Sequence, residues 1–195
     1  MVGYLCGLRK RVLNFFAHII QNLFSYIMNS PPAHEVVPGL WLGNRAAAHD
    51  LDFQRQQNIT TIFNCTKDIT FKQGVAPRMY RIPLDDNLEA GEIRNLETWA
   101  WEVAYKISNE LGTGNRTLVH CMAGMQRSAA AVAIYLVAKY RCTTDEAIAY
   151  IKSKRPVAFL GNANFYKSIK GFEDSLRRMI AEKEAYAQFP KLPLP

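Results

Sequence analysis

The chain is short of cysteine and of histidine, four of each in 195 residues, and neither set is spaced to hold a metal. Cys6, Cys65, Cys121 and Cys142 form no Cys-x-x-Cys pair, and His18, His34 and His49 are scattered, which argues against a zinc site. Cysteines that look unpaired fit a reducing compartment, cytoplasmic or nuclear, better than a disulfide-stapled secreted domain. No uninterrupted run of about 20 apolar residues is present and no small-residue cleavage site follows the apolar N-terminal stretch, so neither a transmembrane span nor a signal peptide is expected. Internal repeats and low-complexity tracts are also missing.

Acid is absent from the first 34 residues, which carry Arg9, Lys10 and Arg11 and so supply +3 of the formal +7. From Val12 to Met28 the polar residues Asn14, His18, Gln21, Asn22 and Ser25 recur at helical spacing, with Leu13, Phe16, Ile20, Phe24 and Ile27 opposite. This is an amphipathic helix, ended before Ser30-Pro31-Pro32. Its apolar face can pack on its own domain, pair in a homodimer, or lie on a membrane surface aided by the basic cluster; packing and dimerisation weigh above the membrane. The expected organisation is an extension over 1–33, one domain over 34–187 and a Pro-rich tail over 188–195. With 49% hydrophobic and 21% charged residues, the chain suits a single globular core.

Within that domain, strands are expected at Val36–Leu42, Thr60–Cys65, Met79–Ile82 and Thr117–Val119. Helices are expected at Ala46–Gln57, Gly91–Leu111, Ser128–Tyr140, Thr143–Ser153 and Ala163 to about Ala187. Thr143 with Glu146 gives the fourth of these helices a capped start. The alternation implies an α/β fold with a central, mostly parallel sheet flanked by helices, whose ligands sit at the carboxyl ends of the strands.

One such end carries His120-Cys121-Met122-Ala123-Gly124-Met125-Gln126-Arg127-Ser128, between a buried strand and an alanine-rich helix. The loop therefore lies at a helix N-terminus, where backbone N–H groups lack intrahelical partners and the helix dipole favours an anion such as phosphate. The same field favours the thiolate of Cys121, the nucleophilic form. Arg127 adds a planar fork able to hold two phosphoryl oxygens, a geometry lysine lacks. Gly124 permits the tight turn, and the Ser128 hydroxyl can donate to the Cys121 sulfur when it must leave. A buried, inert cysteine is the bland alternative, but strand, Cys, Gly, Arg, hydroxyl and helix all agree against it.

These residues match H-C-x-x-G-x-x-R-[ST], and the chain resembles the dual-specificity phosphatases of the cysteine-dependent protein tyrosine phosphatase superfamily. Val37 to Asn44, Ile59 to Thr66 and Arg81 to Asn87 resemble that family's first strand, next core strand and acid loop. Gly161-Asn162-Ala163-Asn164-Phe165 and Phe172-Glu173 resemble its closing pattern. The departures are Gly161 and Asn164, where the family favours Pro and Gly, and Gln126, where a small Ser is usual; Gln126 could narrow or repolarise the pocket rim.

The resemblance implies a phosphocysteine intermediate on Cys121 and metal-free hydrolysis without a cofactor. Met122, Ala123, Gly124, Met125, Gln126 and Arg127 would cradle the phosphate. A general acid must protonate the leaving oxygen; Asp86 aligns with the family's acid and is favoured over its neighbour Asp85. His120 would support the thiolate or serve the fold, and Asn162 would support the loop through its amide or cap a helix. Arg155, after Lys152 and Lys154, reads as a solvated helix end ahead of a basic pocket rim. The expected partner is a phosphoprotein bearing phosphotyrosine or phosphoserine/threonine, since the uncharged loop positions offer little to a phosphoinositide or an RNA 5′-triphosphate. A non-catalytic phosphoprotein-binding module is the competing class.

Overall fold

In this computed structural model the described residues are 29–74, 76–87, 89–181, 193 and 194, with Phe15, Ala17, His18, Ile19, Gln21, Ser25 and Ile27 of the extension. The chain divides into two compact units, 1–31 and 32–195. In the first, those seven residues are helical, and Phe15 and Ile19, one turn apart, are exposed. Leu13, Phe16, Ile20 and Phe24 lie outside the described residues, as does most of the expected tail. No helix among the described residues is long and apolar enough to cross a membrane.

The second unit opens on β1 (Ala33–Val37) and β2 (Leu40–Gly43), an antiparallel hairpin. A single strand over Val36–Leu42 is therefore replaced by two. Pro38 fixes its own φ and Gly39 takes φ +82°, so the chain reverses there, with the Gly39 N–H donating to the Glu35 carboxylate at 2.8 Å. The expected helix over Ala46–Gln57 is likewise two, α1 (Arg45–His49) and α2 (Leu51–Gln56). Asp50 is extended between them, and its carboxylate accepts from the amides of Asp52 and Phe53, so it caps α2 instead of continuing α1.

There follow β3 (Ile59–Asn64), β4 (Arg78–Arg81), α3 (Ala90–Gly112), β5 (Arg116–His120), α4 (Arg127–Tyr140), α5 (Thr144–Lys154) and α6 (Tyr166–Ala181). Thr143 and Glu146 close the capping box at the start of α5. The last helix begins at Tyr166, three residues later than expected, because Asn162 and Asn164 are held by hydrogen bonds to Gln126 and Asp86.

The sheet order is β1-β2-β5-β3-β4, with every pairing parallel except β1 to β2. Side chains alternate across it: Phe63 and Val119 enter the larger core with α3, α4 and α6, while Ile62 and Leu118 face the smaller core with Ala47 and Ala48 of α1. Both faces are thus covered, as parallel sheets require. Helix α4 is buried from Ser128 to Ala138, and its alanines let it pack closely at the centre. The register brings Gly43, His120 and Asn64 side by side, with Arg81 next to Asn64. That row of strand ends carries the loops described next.

Candidate active site

The loop after β5 is fixed through its carbonyls. The Met122 carbonyl accepts from the Arg45 amide at 3.1 Å, and that of Met125 from the Phe159 amide at 2.8 Å. The Ala123 and Gly124 carbonyls accept from the Arg155 guanidinium at 3.3 and 2.9 Å, and the Gln126 carbonyl from the Ala130 amide at 2.8 Å. In a trans peptide the C=O and the following N–H point opposite ways. Five consecutive carbonyls drawn outward therefore turn the amides of residues 123–127 to the other side. One of them, Gly124 N–H, donates to Cys121 Sγ at 3.3 Å.

Cys121 is buried, and its sulfur also accepts from the Ser128 hydroxyl at 3.2 Å. Arg127 opens α4, and its Nε is buried without a hydrogen-bond partner, a donor suited to an anion over the loop. Gly124 has φ +67°, and a Cβ there would fall 2.5 Å from the Gly43 carbonyl oxygen and 2.9 Å from the Arg155 guanidinium. Only glycine fits.

Arg155 corrects the expectation of a solvated helix end: it is 1% exposed. Its guanidinium also meets His34 Nδ1 at 2.8 Å; arginine can only donate, so that nitrogen accepts. Burial lowers the Arg155 pKa to about 10, with Cys121 acting the other way, so it stays charged at neutral pH. His34 is lowered by burial and then by Arg155. A positive charge thus lies beneath the loop, from a residue that sequence reasoning missed. The signal was Pro156, which ends α5 and turns Arg155 back from the lysine run.

His120 is 1% exposed, and burial lowers its pKa to about 4, with the Cys121 main chain acting the other way. It is neutral at physiological pH and adds no positive charge at the sulfur. Between about 6.5 and about 4 the unfolded chain holds a proton that the native imidazole does not, so stability falls as pH falls through that window and levels off below it. The loss is about 3 kcal/mol. Urea titrations should show the stability gap between the wild type and His120→Gln shrinking by about that amount from pH 7 to pH 4; a gap independent of pH would contradict a buried neutral ring. Cys65, behind the loop, is pushed up mainly by burial and remains a thiol.

The acid loop leaves β4 and is tied to α3: Asn95 Nδ2 donates to the Pro83 carbonyl at 2.9 Å, and the Asp85 amide donates to Glu92 at 2.9 Å. Lys67 pairs with Glu92 on the other side. The two candidate acids differ in what their carboxylates do. Asp85 Oδ1 turns back to accept its neighbour's amide at 2.7 Å. Asp86 Oδ1 accepts instead from Asn164 Nδ2 at 2.8 Å.

Gln126 is buried, and its amide clamps the 162–164 segment, donating to the Asn162 carbonyl at 2.9 Å and accepting from the Asn164 amide at 3.1 Å. It is a strut and not a rim residue. Asn162 is exposed and meets the loop through its main-chain carbonyl, not its side-chain amide. Met122 and Ala123 are the exposed loop residues. Among the described residues no group of His, Cys, Asp or Glu could hold a metal ion.

A buried sulfur in a loop of inward amides beside a guanidinium, with a carboxylate linked to that loop through Asn164 and Gln126, is the arrangement of a phosphate-transfer site with a cysteine nucleophile. Comparison with known proteins agrees. The dual specificity phosphatase catalytic-domain family matches residues 40–175. "Dual specificity protein phosphatase 1" of Arabidopsis thaliana is 31% identical over 144 residues, 71% of this chain and 68% of that protein. Human "Dual specificity protein phosphatase 2" is 30% identical over 139 residues, 71% of this chain but 43% of that protein. The crystal structure of human DUSP28 superposes with a TM-score of 0.64 at 27% identity, over 75% of this chain and 96% of that one. That of DUSP15 gives 0.65 at 28%, over 77% and 96%. The chain belongs to the dual specificity phosphatase catalytic-domain family and is a cysteine-dependent protein phosphatase.

Proposed function

We propose that the chain hydrolyses phosphotyrosine and phosphoserine/threonine in proteins by two phosphoryl transfers through Cys121. The observation that carries this reading is the sulfur itself, which accepts from the Gly124 amide and the Ser128 hydroxyl in a loop whose carbonyls at residues 122–125 are bonded to remote segments. The thiolate attacks phosphorus in line while the loop amides and Arg127 hold the equatorial oxygens, and the bond to the substrate oxygen breaks. Asp86 gives its proton to that oxygen. Water then attacks the phosphocysteine, Asp86 takes the water's proton, and the S–P bond breaks to release inorganic phosphate. Ser128 stabilises the returning thiolate. Met122, Ala123, Gly124, Met125 and Gln126 contribute backbone, and His120 and Asn162 support the loop.

A phosphoprotein substrate is supported by the uncharged loop side chains and by the commitment of the Gln126 amide to residues 162–164. The exposed, apolar Met122 suits a peptide surface better than a polyanion. Residues 34–187 form the catalytic domain in this reading, residues 1–33 a helical extension able to pair with a second copy, and a reducing compartment, cytoplasm or nucleus, keeps Cys121 a thiol.

The test is phosphate release from phosphotyrosine and phosphothreonine peptides, from a phosphoinositide and from triphosphate-ended RNA, measured with single substitutions in the acid loop. We expect the phosphopeptides to be hydrolysed fastest. Asp86→Ala should lower kcat about 10²-fold or more, and Asp85→Ala only a few-fold. The reverse ranking would move the general acid to Asp85, and preference for RNA would overturn the substrate class.

A further inference from the structure

Two departures from the family pattern, Gln126 and Asn164, meet in one chain of hydrogen bonds. The Gln126 amide holds Asn162 and Asn164 through their main chains at 2.9 and 3.1 Å, and the Asn164 side chain donates to Asp86 Oδ1 at 2.8 Å. Gln126 directly precedes Arg127, so the relay joins the phosphate loop to the acid loop through a third segment. The other ties on the acid loop, from Asn95 to the Pro83 carbonyl and from the Asp85 amide to Glu92, grip the backbone or the preceding residue. Among the described residues, Asn164 is the one that donates a hydrogen bond to the Asp86 carboxyl group.

We propose that Asn164, held by Gln126, is a positioning residue that orients Asp86 for proton transfer. This rests on Asp86 being the general acid. An amide N–H bound to Oδ1 assigns the two carboxyl oxygens separate tasks: Oδ1 is occupied, and Oδ2 is left to carry the proton to the leaving oxygen. A carboxyl group free to rotate would present the protonated oxygen only part of the time. The relay also ties the acid to the residue that precedes Arg127, which fixes the acid relative to the phosphate-binding guanidinium. Glycine at position 164 cannot make the side-chain bond, and serine at 126 cannot span to residues 162 and 164 from both ends of an amide.

The leaving group reads this out, because protonation matters most when the departing oxygen is basic. Turnover of phenyl phosphate and of para-nitrophenyl phosphate is compared for the wild type, Asn164→Ala, Asn164→Gly, Gln126→Ser, Asp86→Ala and the Asp86→Ala/Asn164→Ala double variant. Asn164→Ala is expected to lower kcat about 10-fold on phenyl phosphate and about 2-fold on para-nitrophenyl phosphate, with KM little changed. Gln126→Ser should show the same bias to a smaller extent. In the Asp86→Ala background the Asn164 change should add less than about 2-fold, because the residue acts through that carboxyl.

Equal losses on both substrates, additive losses in the double variant, or no loss at all would overturn the proposal. If Asp86→Ala itself leaves the leaving-group dependence untouched, the general-acid assignment fails first, and that result is distinct from the others. Should Asn164→Ala fold poorly in a thermal melt, Asn164→Gly and Gln126→Ser carry the same comparison.

Discussion

Cys121→Ser is expected to lower phosphatase turnover about 10⁴-fold or more while leaving the fold and phosphate binding in place. The two donors on the sulfur, at 3.2 and 3.3 Å, and the inward amides of the loop stabilise a negative charge that a thiol yields readily and a hydroxyl does not. Serine is smaller by little and polar, so the buried pocket at the end of β5 accepts it with modest strain. The measurement is kcat on para-nitrophenyl phosphate, with phosphopeptide affinity by calorimetry on the same protein. A variant keeping a tenth of wild-type turnover would remove Cys121 from the chemistry. A wild type that binds phosphopeptide without turning anything over would make the chain a recognition module.

Gly124→Ala is expected to damage both activity and stability, which separates it from Cys121→Ser. The added Cβ would stand 2.5 Å from the Gly43 carbonyl oxygen and 2.6 Å from its carbon, backbone atoms of β2 that a side-chain rotation cannot relieve. The left-handed φ of +67° adds a penalty for any residue with a Cβ. We expect a loss of about 2–4 kcal/mol in urea unfolding. Turnover should fall about 10²-fold or more, since the 124 amide would leave the sulfur. A variant with wild-type melting and wild-type kcat would mean that the loop is far looser than its hydrogen bonds imply.

The parallel strands, the central helix α4 and the cysteine–arginine loop were legible because each is local. Alternating or continuous apolar runs mark strands, an alanine-rich stretch without Gly or Pro marks a packed helix, and the loop's chemistry is spelled in nine consecutive residues. The misses were cases in which a tertiary partner or a cap decided. Pro38-Gly39 is a turn inside what periodicity read as one strand. Asp50 capped a second helix instead of continuing the first. Lys152 and Lys154 made Arg155 look like part of a solvated end, although its guanidinium crosses to carbonyls 31 and 32 residues away in sequence.

Gln126 and Asn164 were visible as departures from a family pattern, but their meeting across 38 residues was not. The choice between Asp85 and Asp86 came from alignment; that the two carboxylates take different partners, the Asp86 amide for Asp85 and the Asn164 side chain for Asp86, could not be read from the chain.

The carbonyls of residues 122–125 are anchored from the start of α1, from Arg155 and from the stretch around Phe159, none of which is a neighbour in the chain. Competence is therefore a collective property of remote segments. A fluctuation that peels away residues 155–165 would slacken the oxyanion-binding ring even while the sheet and its nucleophile stayed folded. Such an opening would also uncover Phe159 and Phe165, which are 1% and 2% exposed, so the integrity of the anion ring is tied to the packing of the core.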